Sequence, residues 1–563
     1  MKMRIKIVLA FIITAGAAAF AGCGSSENMT VTQDDHQIMS AVSGGDETAQ
    51  SEEISEDKVS EDAIPDNETA ETSSGAGNME LINTYFDESR YSEDTGNVYF
   101  RSFGNHILCT FDTEKAYPRL AGTLQKLADD EEKAFRDEIR EYDRDALDFS
   151  RQMGDSETQA YYSHYADDVL KRADDKCVSF VRVLNGFLGG AHPDYYYETY
   201  NIYPRTGERI RLSDVVADQS KLNGILEEKL TSDYPDVEYF DLHENLSEYD
   251  MSALDSGDQD GNYVYAYDFT LDPDGIAFYF SPYGISAYAY GDQVVKILYD
   301  EEPSLFKEDF AADGAYISYI TDLDNKYAVD GKAEQVRVEK TDLDESGYFQ
   351  TVSVSRGGET VSKGELYCYG LRSFIMHTDD GKDYIYINTS MDDDATQLLV
   401  AGLNGKLTLS DGGGIYNLQY RYYYDEGNGR YGDILPLDPG NMELGKRCDL
   451  LSTYSAYGEY EAGADGFPKL KGDYLRIPDG YTLTSKAELQ TDVVDEDGTV
   501  TDKDVLIPIG ENYTLYRTDG KEIVDAKLSD GRIVRLILSD GLPQLVNGVI
   551  EEGDLFEMLY YAG

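Results

Sequence analysis

Residues 113–149 contain the longest helical period in the chain, and this period constrains the fold more than any other feature. Apolar side chains recur there at helical spacing, with Pro118 near the first turn, as expected of an amphipathic helix packed on a sheet. These side chains are Leu120, Leu124, Leu127, Phe135, Ile139 and Tyr142. The segments at 97–112 and 175–204 are typical of β-strands. Strands, a helix and further strands predict an α+β domain, a mixed sheet with packed helices, over residues 80–300.

Beyond residue 301 the long helical periods vanish and short strand segments separated by turn residues dominate. Asn404-Gly405 has the sequence of a tight hairpin turn, and Asp-Gly pairs follow one another at 519, 530 and 540. We therefore expect mostly-β C-terminal modules. The first is a β-rich, blade-like domain at 301–475, and the second is a small β-barrel or SH3-like module at 476–563.

Residues 1–22 have the order of a secretory signal peptide, in which basic residues precede an apolar run that ends in small residues. The apolar run is shorter than the ~20 residues that a membrane-spanning helix needs. Phe20-Ala21-Gly22-Cys23 resembles the lipobox of bacterial lipoproteins, in which the cysteine is acylated and becomes the mature N-terminus. The resemblance implies a lipid anchor at Cys23, on the outer face of the cytoplasmic membrane. The alternative is an ordinary cleaved signal peptide with a free Cys23.

Residues 23–79 predict a disordered acidic tether. From residue 24 onward this segment contains fourteen acidic residues, one lysine and no Phe, Tyr or Trp. Such a segment buries too little apolar surface to offset the entropy lost on ordering it. We expect it to hold the folded part away from the membrane.

The formal charge of −61 at pH 7 narrows the classes of partner. It disfavours nucleic acid and a bare anionic membrane surface, and it favours a cationic protein or bound divalent cations. The chain contains no nucleophile elbow, zinc-protease motif, CxxC, P-loop or dinucleotide fingerprint. An enzyme is therefore the less favoured class.

His192 lies in the segment FLGGAHPDYYYETYNIYPRTGERIRLSDVV, between paired glycines and a run of tyrosines. The glycines indicate a backbone that bends sharply or takes positive φ, with the histidine bonded locally. Ligand contact and catalysis stay open, although a catalytic imidazole needs a positioned carboxylate or nucleophile. As a ligand-binding site we predict His192, Tyr195, Tyr196 and Tyr283, because tyrosine rings can form a platform for glycan or peptide. The alternative is that these tyrosines are half-buried strand residues with solvated hydroxyls.

Asp342, Asp344 and Ser346 copy the first half of a calcium-binding loop. The twelfth position of that loop is Ser353 where an EF-hand has glutamate. A calcium site is one interpretation and an acidic hairpin turn is the other. We expect no other cofactor.

Four cysteines remain besides Cys23. Export permits disulfides, and the predicted domain boundaries favour the pairs Cys109–Cys177 and Cys368–Cys448. Cys109 and Cys177 also lie in apolar strand segments, where free buried cysteine is common. Both the bridged and the free state stay open.

Two motifs together resemble a known extracellular domain. The first motif is Gly189-Gly190-Ala191-His192, and the second is the stretch from Asp274-Gly275 to Tyr283 followed by a turn at Gly291. Together they are similar to a domain that RsiV-like anti-sigma factors share with the N-terminal part of PdaC-type peptidoglycan deacetylases. The similarity covers roughly residues 80–300. In RsiV-like anti-sigma factors the domain is a receptor for lysozyme. The chain lacks a sigma-binding segment and the deacetylase motifs, so those two activities are not carried over.

The resemblance implies a binding or sensing module at the cell envelope, with a lysozyme-like protein, another cationic wall-active protein or peptidoglycan as the partner. A peptidoglycan-modifying enzyme is an alternative, and it requires a cleft that brings His192 together with carboxylates from distant strands. A structural accessory of the envelope is a third alternative, in which the β modules act as a scaffold.

Overall fold

The computed structural model describes residues 79–153, 162–259, 262–307, 310–321, 325–344, 347–391, 395–416, 418–425, 427, 429–478 and 480–561. The predicted signal peptide, Cys23 and nearly all of the predicted tether lie outside the described residues. Strands account for 48% of the structure and helices for 17%, with the main helices in the first half. The predicted fold class, a helix-bearing α+β part followed by mostly-β modules, is confirmed.

The elements of the first half are, in chain order, β1 (Leu81–Asp87), β2 (Arg90–Tyr91), β3 (Val98–Cys109), α1 (Phe111–Ala116), α2 (Pro118–Met153), β4 (Tyr162–Ala173), β5 (Val178–Phe187), β6 (Asp194–Ile202), α3 (Leu212–Val215), α4 (Gln219–Asp233), α5 (Leu242–Glu248), β7 (Tyr249–Asp250), β8 (Gly257–Gln259), β9 (Asn262–Ala266), β10 (Asp268–Leu271), β11 (Gly275–Phe280) and β12 (Gln293–Leu298).

The elements of the second half are β13 (Tyr316–Tyr319), β14 (Asn325–Val329), β15 (Lys332–Leu343), β16 (Phe349–Arg356), β17 (Glu359–Lys363), β18 (Gly370–His377), β19 (Asp383–Ser390), β20 (Thr396–Gly402), β21 (Thr408–Tyr416), β22 (Leu418–Tyr420), β23 (Tyr422–Asp425), β24 (Arg430–Ile434), β25 (Met442–Asp449), β26 (Thr453–Ala462), β27 (Pro468–Leu470), β28 (Leu475–Arg476), β29 (Thr482–Thr484), β30 (Leu489–Val494), β31 (Val500–Ile507), β32 (Asn512–Thr518), β33 (Ile523–Lys527), β34 (Ile533–Ile537), β35 (Leu545–Val546), β36 (Ile550–Glu551) and α6 (Glu552–Leu555).

The first sheet has eight strands in the order β23-β24-β1-β3-β4-β5-β6, with β2 paired to β3. Strands β3 and β4 are parallel because the chain between them crosses over through α1 and α2. The other pairs of this sheet are antiparallel. Helix α2 begins at Pro118 and buries its apolar stripe, with Leu120, Leu124, Phe135 and Ile139 nearly inaccessible to solvent. The helix predicted from this period is therefore formed.

Residues 422–434 supply β23 and β24 to this first sheet, and Ile434 pairs with Ile82 of β1. The sheet therefore extends across the boundary that we predicted at residue 300. A second sheet, β10-β11-β12, packs with α4 and α5 over its own apolar core.

The segment ERIRLSDVV, which follows a turn at Gly207, does not form a continuous strand. Arg209 forms an isolated bridge with Ile202 and Val216 forms one with Phe306, and Leu212–Val215 between them is a helical turn. The Asp214 carboxylate accepts a hydrogen bond from the Arg211 amide at 2.9 Å, which satisfies a free N–H at the helix start.

Three further sheets make up most of the second half, with orders β13-β18-β19-β20-β21, β14-β15-β16-β17 and β22-β25-β26-β28-β32-β33-β34-β30-β31. The Asn-Gly turn lies between β20 and β21, and the first two Asp-Gly pairs lie between β32 and β33 and between β33 and β34. Their glycines Gly405, Gly520 and Gly531 have φ of 66°, 68° and 87°, as such turns require. The last sheet runs from residue 418 to residue 537, so the boundary predicted at 475 lies within a sheet.

The cysteine pairs that we favoured do not form. Cys109, Cys177, Cys368 and Cys448 are all free and buried. Cys177 and Cys368 lie in two separate apolar clusters, and Cys109 and Cys448 lie in a third, which extends from Leu81 to Phe556. Burial raises the pKa of the Cys109, Cys177 and Cys448 thiols to about 12, which makes them inert. The alternative, free cysteine in apolar strands, is the one observed.

Lys171, Lys296, Asp272, Asp274 and Tyr327 form a buried polar hub where several sheets meet. The Lys296 ammonium lies 2.9 Å from Asp272 Oδ2 and also contacts Asp274. The Lys171 ammonium donates to the Tyr327 hydroxyl at 3.1 Å and to a backbone carbonyl of β13 at 2.8 Å. The Tyr327 ring centroid lies 5.2 Å from one ammonium and 4.9 Å from the other. The hub therefore connects β4, β12, β13 and β14 through charged groups removed from water.

Lys171 gives this hub a measurable pH dependence. Burial lowers the pKa of Lys171 from 10.5 to about 8. Between these two values the unfolded chain binds the proton and the folded chain does not, so stability rises with pH through this window. We expect the free energy of unfolding of the wild type, minus that of Lys171→Met, to increase by about 2 kcal/mol between about pH 7 and about pH 9.5. Urea denaturation of both proteins at the two pH values measures this difference in the free energy of unfolding.

The exposed Lys406 provides the control for this prediction. Lys406→Met should leave the pH dependence of the wild type unchanged. A difference between wild type and Lys171→Met that stays constant with pH would contradict the lowered pKa.

None of the helices within the described ranges is both long enough and apolar enough to cross a membrane.

Candidate binding site around His192

The turn between β5 and β6 takes its shape from two glycines. Gly189 and Gly190 have φ of 89° and 137°, a region that residues with a Cβ rarely adopt. A Cβ on Gly189 would also lie only 2.8 Å from the Tyr162 hydroxyl. The positive φ predicted from the Gly-Gly pair is therefore present, and it places His192 at the outer end of the turn.

His192 joins two tyrosines of the loop that follows β11. Its Nδ1 lies 2.9 Å from the Pro193 carbonyl oxygen, and its Nε2 lies 3.2 Å from the Tyr283 hydroxyl. The imidazole stacks on the Tyr288 ring with 3.9 Å between centroids and 22° between planes. The Tyr288 hydroxyl donates to the same Pro193 carbonyl at 2.9 Å. We call His192, Tyr283 and Tyr288 the His192 cluster.

The cluster holds a strained tyrosine on the surface. Tyr283 has φ of 68°, which is an outlier for a bulky side chain, and its side chain is 54% exposed. Strain of this kind persists only where the surroundings fix it, and it is most frequent at functional sites. The hydrogen bond and ring contacts to His192 and Tyr288 are the contacts that hold this conformation.

The four predicted binding residues are only partly brought together. His192 and Tyr283 are in contact. Tyr195 packs its ring edge-on against Tyr197, 5.5 Å between centroids, at the border of the main core. Tyr196, the next residue of β6, is exposed, and adjacent residues of a strand point to opposite faces. Sequence reasoning missed Tyr288, whose only signal was its place in the tyrosine-rich loop after β11.

Asp194 supplies a negative charge beside the cluster. Partial burial of its carboxyl raises its pKa, and His192 offsets part of this effect. Burial also raises the pKa of Tyr288, with Asp194 and Tyr283 contributing in the same direction. The Asp194 carboxylate thus lies near the half-buried rings of His192 and Tyr288.

The hydrogen-bond partners of the two His192 ring nitrogens among the described residues are not carboxylates. A catalytic imidazole is usually oriented by a carboxylate and faces a nucleophile or substrate. Here the two ring nitrogens contact a backbone carbonyl and a tyrosine hydroxyl. The local hydrogen bond predicted for His192 is present.

Of the predicted calcium residues, Asp342 lies near the end of β15 and Asp344 directly follows that strand. The Asp342 carboxylate accepts from Thr351 Oγ1 at 2.7 Å, and that of Asp344 accepts from the Tyr348 amide at 3.0 Å. Ser346 lies outside the described residues. Within the part of the chain that the structure describes, no three His, Cys, Asp or Glu side chains are grouped to hold a metal ion. The Asp342 carboxylate thus bonds across the β15–β16 pair, and that of Asp344 bonds within the turn that follows β15.

Residues 213–300, which include Tyr283 and Tyr288, match the sequence model of a family described as a protein of unknown function, DUF3298. A member of this family from Bacteroides fragilis is a structural match with 17% identity, covering 41% of this chain and 95% of its own, with a TM-score of 0.31. A DUF3298 family protein from Pseudomonas aeruginosa matches with 14% identity, 42% and 99% coverage and a TM-score of 0.27. No curated protein matches significantly. The chain thus contains a DUF3298 domain at residues 213–300 and has DUF3298 family proteins as structural neighbours.

Proposed function

We propose that this protein is a binding module for a cationic protein at the outside of the cell, attached to the membrane by an acylated Cys23. The observation that carries the proposal is the His192 cluster, in which the half-buried His192 and Tyr288 rings lie near the Asp194 carboxylate and the exposed Tyr283 ring contacts His192, on a chain of formal charge −61. The N-terminal signal and the acidic tether support an envelope location. The resemblance to the lysozyme-receptor domain of RsiV-like anti-sigma factors makes lysozyme the first probe.

Two physical effects would act together in such an encounter. The net negative field attracts a basic protein and accelerates its association. Salt weakens this attraction, because the Debye screening length is only about 10 Å at 0.1 M salt. At the cluster, a lysine or arginine of the partner would lie over the ring of Tyr283 and near the carboxylate of Asp194. A cation over an exposed aromatic ring contributes about 0.5–1 kcal/mol, and more where water is excluded.

Lysozyme binding to the immobilised full-length protein tests the proposal. We expect binding at about 25 mM salt, with a Kd at least about tenfold higher at about 150 mM salt. Tyr283→Asn should raise the Kd at low salt about fivefold, because the aromatic face is lost. Asparagine tolerates the positive φ of this position, so the substitution adds no backbone strain.

Tyr91→Asn is the matched control, since Tyr91 lies on β2 and is also 54% exposed. It should leave the Kd unchanged. Absence of lysozyme binding at low salt, or an equal loss with Tyr91→Asn and Tyr283→Asn, would refute the proposed role of the cluster.

A further inference from the structure

A group of tyrosines lies on one face of the first sheet, at the edge formed by β23 and β24. Tyr424 of β23 pairs directly with Tyr431 of β24, and Tyr422 pairs with Asp433. Directly paired residues of antiparallel strands point to the same face, as do residues two apart in one strand. Partial burial raises the pKa of Tyr422, and Tyr431, Asp433 and Tyr424 raise it further, as expected of close neighbours. The four side chains therefore share one face of the sheet.

Two of these tyrosines are open to solvent. Tyr424 is 60% exposed and Tyr422 is 44% exposed, whereas Tyr431 is partly buried. Within the described part of the chain, no other aromatic ring or cation lies over the rings of Tyr422 and Tyr424, and their hydroxyls have no hydrogen-bond partner. We call Tyr422, Tyr424 and Tyr431 the tyrosine platform. It shares no residue with the His192 cluster.

An ion pair borders the platform on the side of β1. Arg372 of β18 donates to Asp433 Oδ2, and the Tyr85 hydroxyl of β1 donates to the same oxygen at 3.2 Å. The guanidinium carbon of Arg372 lies 5.3 Å from the centroid of the Tyr85 ring. The side chains of Arg372 and Asp433 are 37% and 24% exposed, so each is partly accessible to solvent. The rim of the platform therefore offers polar groups without a net charge.

We propose that the tyrosine platform binds a neutral polysaccharide of β-1,4-linked pyranose rings, with sugar rings packed on Tyr424 and Tyr422 and a sugar hydroxyl donating to Asp433. A pyranose with equatorial hydroxyls has an apolar C–H face, which packs on an aromatic ring, and polar edges, which bond phenol hydroxyls and carboxylates. Neighbouring strands lie about 4.8 Å apart, and residues two apart in a strand about 6.8 Å apart. Tyrosines at these spacings can each contact a successive sugar ring.

The charge and shape of the platform favour this ligand over other polymers. A chain of formal charge −61 repels an anionic polymer. A basic peptide gains little here, because Arg372 already neutralises the carboxylate of Asp433. A proline-rich peptide also packs on aromatic rings, but it docks in a groove, whereas these tyrosines lie on a sheet face.

Titration calorimetry of the full-length protein with four tetrasaccharides tests this inference. Cellotetraose and chitotetraose are neutral and extended, maltotetraose is neutral and curved, and tetragalacturonate is anionic. We expect cellotetraose, chitotetraose or both to bind with a Kd of about 0.05–2 mM, as for a shallow, solvated surface. Maltotetraose and tetragalacturonate should bind at least about tenfold more weakly, because the first does not lie flat along the platform and the second is repelled.

Tyr424→Leu should weaken binding at least about fivefold, because leucine is apolar but lacks the flat ring, whereas Tyr424→Phe keeps the ring and should stay within about twofold of the wild type. Tyr424 is exposed, so neither substitution should affect folding. Tyr91→Leu is the matched control, since Tyr91 is an exposed tyrosine of β2 in the same sheet, and it should leave binding unchanged.

Three results would overturn the inference. The first is that neither cellotetraose nor chitotetraose binds up to about 10 mM, whether or not a proline decapeptide does. The second is that maltotetraose or tetragalacturonate binds as tightly as the extended neutral probes. The third is that Tyr424→Leu binds like the wild type, or loses no more than Tyr424→Phe or Tyr91→Leu, because the ring face of Tyr424 would then have no part in binding.

Discussion

Lys296→Met is expected to lower the free energy of unfolding by about 3–5 kcal/mol, because it removes the positive charge from a buried ionic group and leaves the negative charges in place. Lys296 is 1% exposed and contacts both Asp272 and Asp274. Asp272 keeps a hydrogen bond from Thr270 Oγ1 at 2.7 Å, and Asp274 keeps one from the Ala328 amide at 2.6 Å. Hydrogen bonds of this kind do not compensate two buried carboxylates for the loss of their ammonium.

Urea denaturation at about pH 7 measures this loss. The control is Lys126→Met, which removes an exposed ammonium from a 2.6 Å ion pair with Asp130 on α2. It should change stability by no more than about 0.5 kcal/mol. The triple variant Lys296→Met, Asp272→Asn, Asp274→Asn should recover part of the loss, since both buried carboxylates are then neutral and Lys171 carries the charge that remains in the hub. A loss below about 1 kcal/mol in Lys296→Met would mean that the hub is hydrated instead of buried.

The features that sequence predicted correctly are those with local causes. The apolar period of residues 120–139 defines α2, and the Asn-Gly and Asp-Gly pairs mark hairpin turns through the positive φ of their glycines. The Gly-Gly pair at 189–190 likewise marks the turn that carries His192. Each of these signals involves only residues that are close together in the chain, so a single sequence is enough to recognise it.

The features that sequence missed depend on contacts between distant segments. The pairing of Ile82 with Ile434 joins strands that are far apart in the chain, and no short pattern specifies it. Lys171 and Lys296 stand out as charged residues in apolar strand segments, but their partners could not be inferred. Disulfide pairing fails for the same reason, because two cysteines bond only when their Cα atoms lie within about 4.4–6.8 Å. Sharing a predicted domain does not ensure that proximity.

In the candidate binding site, too, local contacts could be predicted from the sequence and contacts between distant segments could not. The hydrogen bond of His192 to its neighbour Pro193 is local and could be anticipated. The stacking of Tyr288 on His192 depends on the loop after β11 folding back over the β5–β6 turn. Tyrosines are frequent in this chain, 47 in all, so their frequency did not single out Tyr288.

Asp168→Asn is expected to lower the free energy of unfolding by about 3–5 kcal/mol, because it leaves the Arg182 guanidinium buried beneath α2 with only one carboxylate. Arg182 Nε and Nη2 donate to the two oxygens of Asp168 at 2.6 and 3.0 Å, and Nη1 donates to Glu131 of α2 at 3.0 Å. Asparagine has the shape of aspartate but lacks its charge, and it can accept from only one of the two paired donors. The loss is therefore electrostatic and not a packing defect.

Acid pH provides a second test of the same pair. Burial alone would raise the pKa of Asp168, but Arg182 and His106 hold it below its ordinary value of 3.8. This contribution to stability is therefore complete above about pH 4 and is lost as the pH falls toward the folded-state pKa. We expect the stability difference between wild type and Asp168→Asn to shrink between about pH 7 and about pH 3, measured by urea denaturation at each pH.

Asp137→Asn is the control for this pair, since it breaks an exposed ion pair with Arg140 on the same helix. It should change stability by less than about 0.5 kcal/mol at either pH. The triple variant Asp168→Leu, Arg182→Met, Glu131→Gln should be more stable than Asp168→Asn, because none of the three charges of this group then stays buried. If Asp168→Asn is as stable as the wild type at about pH 7, the guanidinium has access to water and α2 does not seal this face of the sheet.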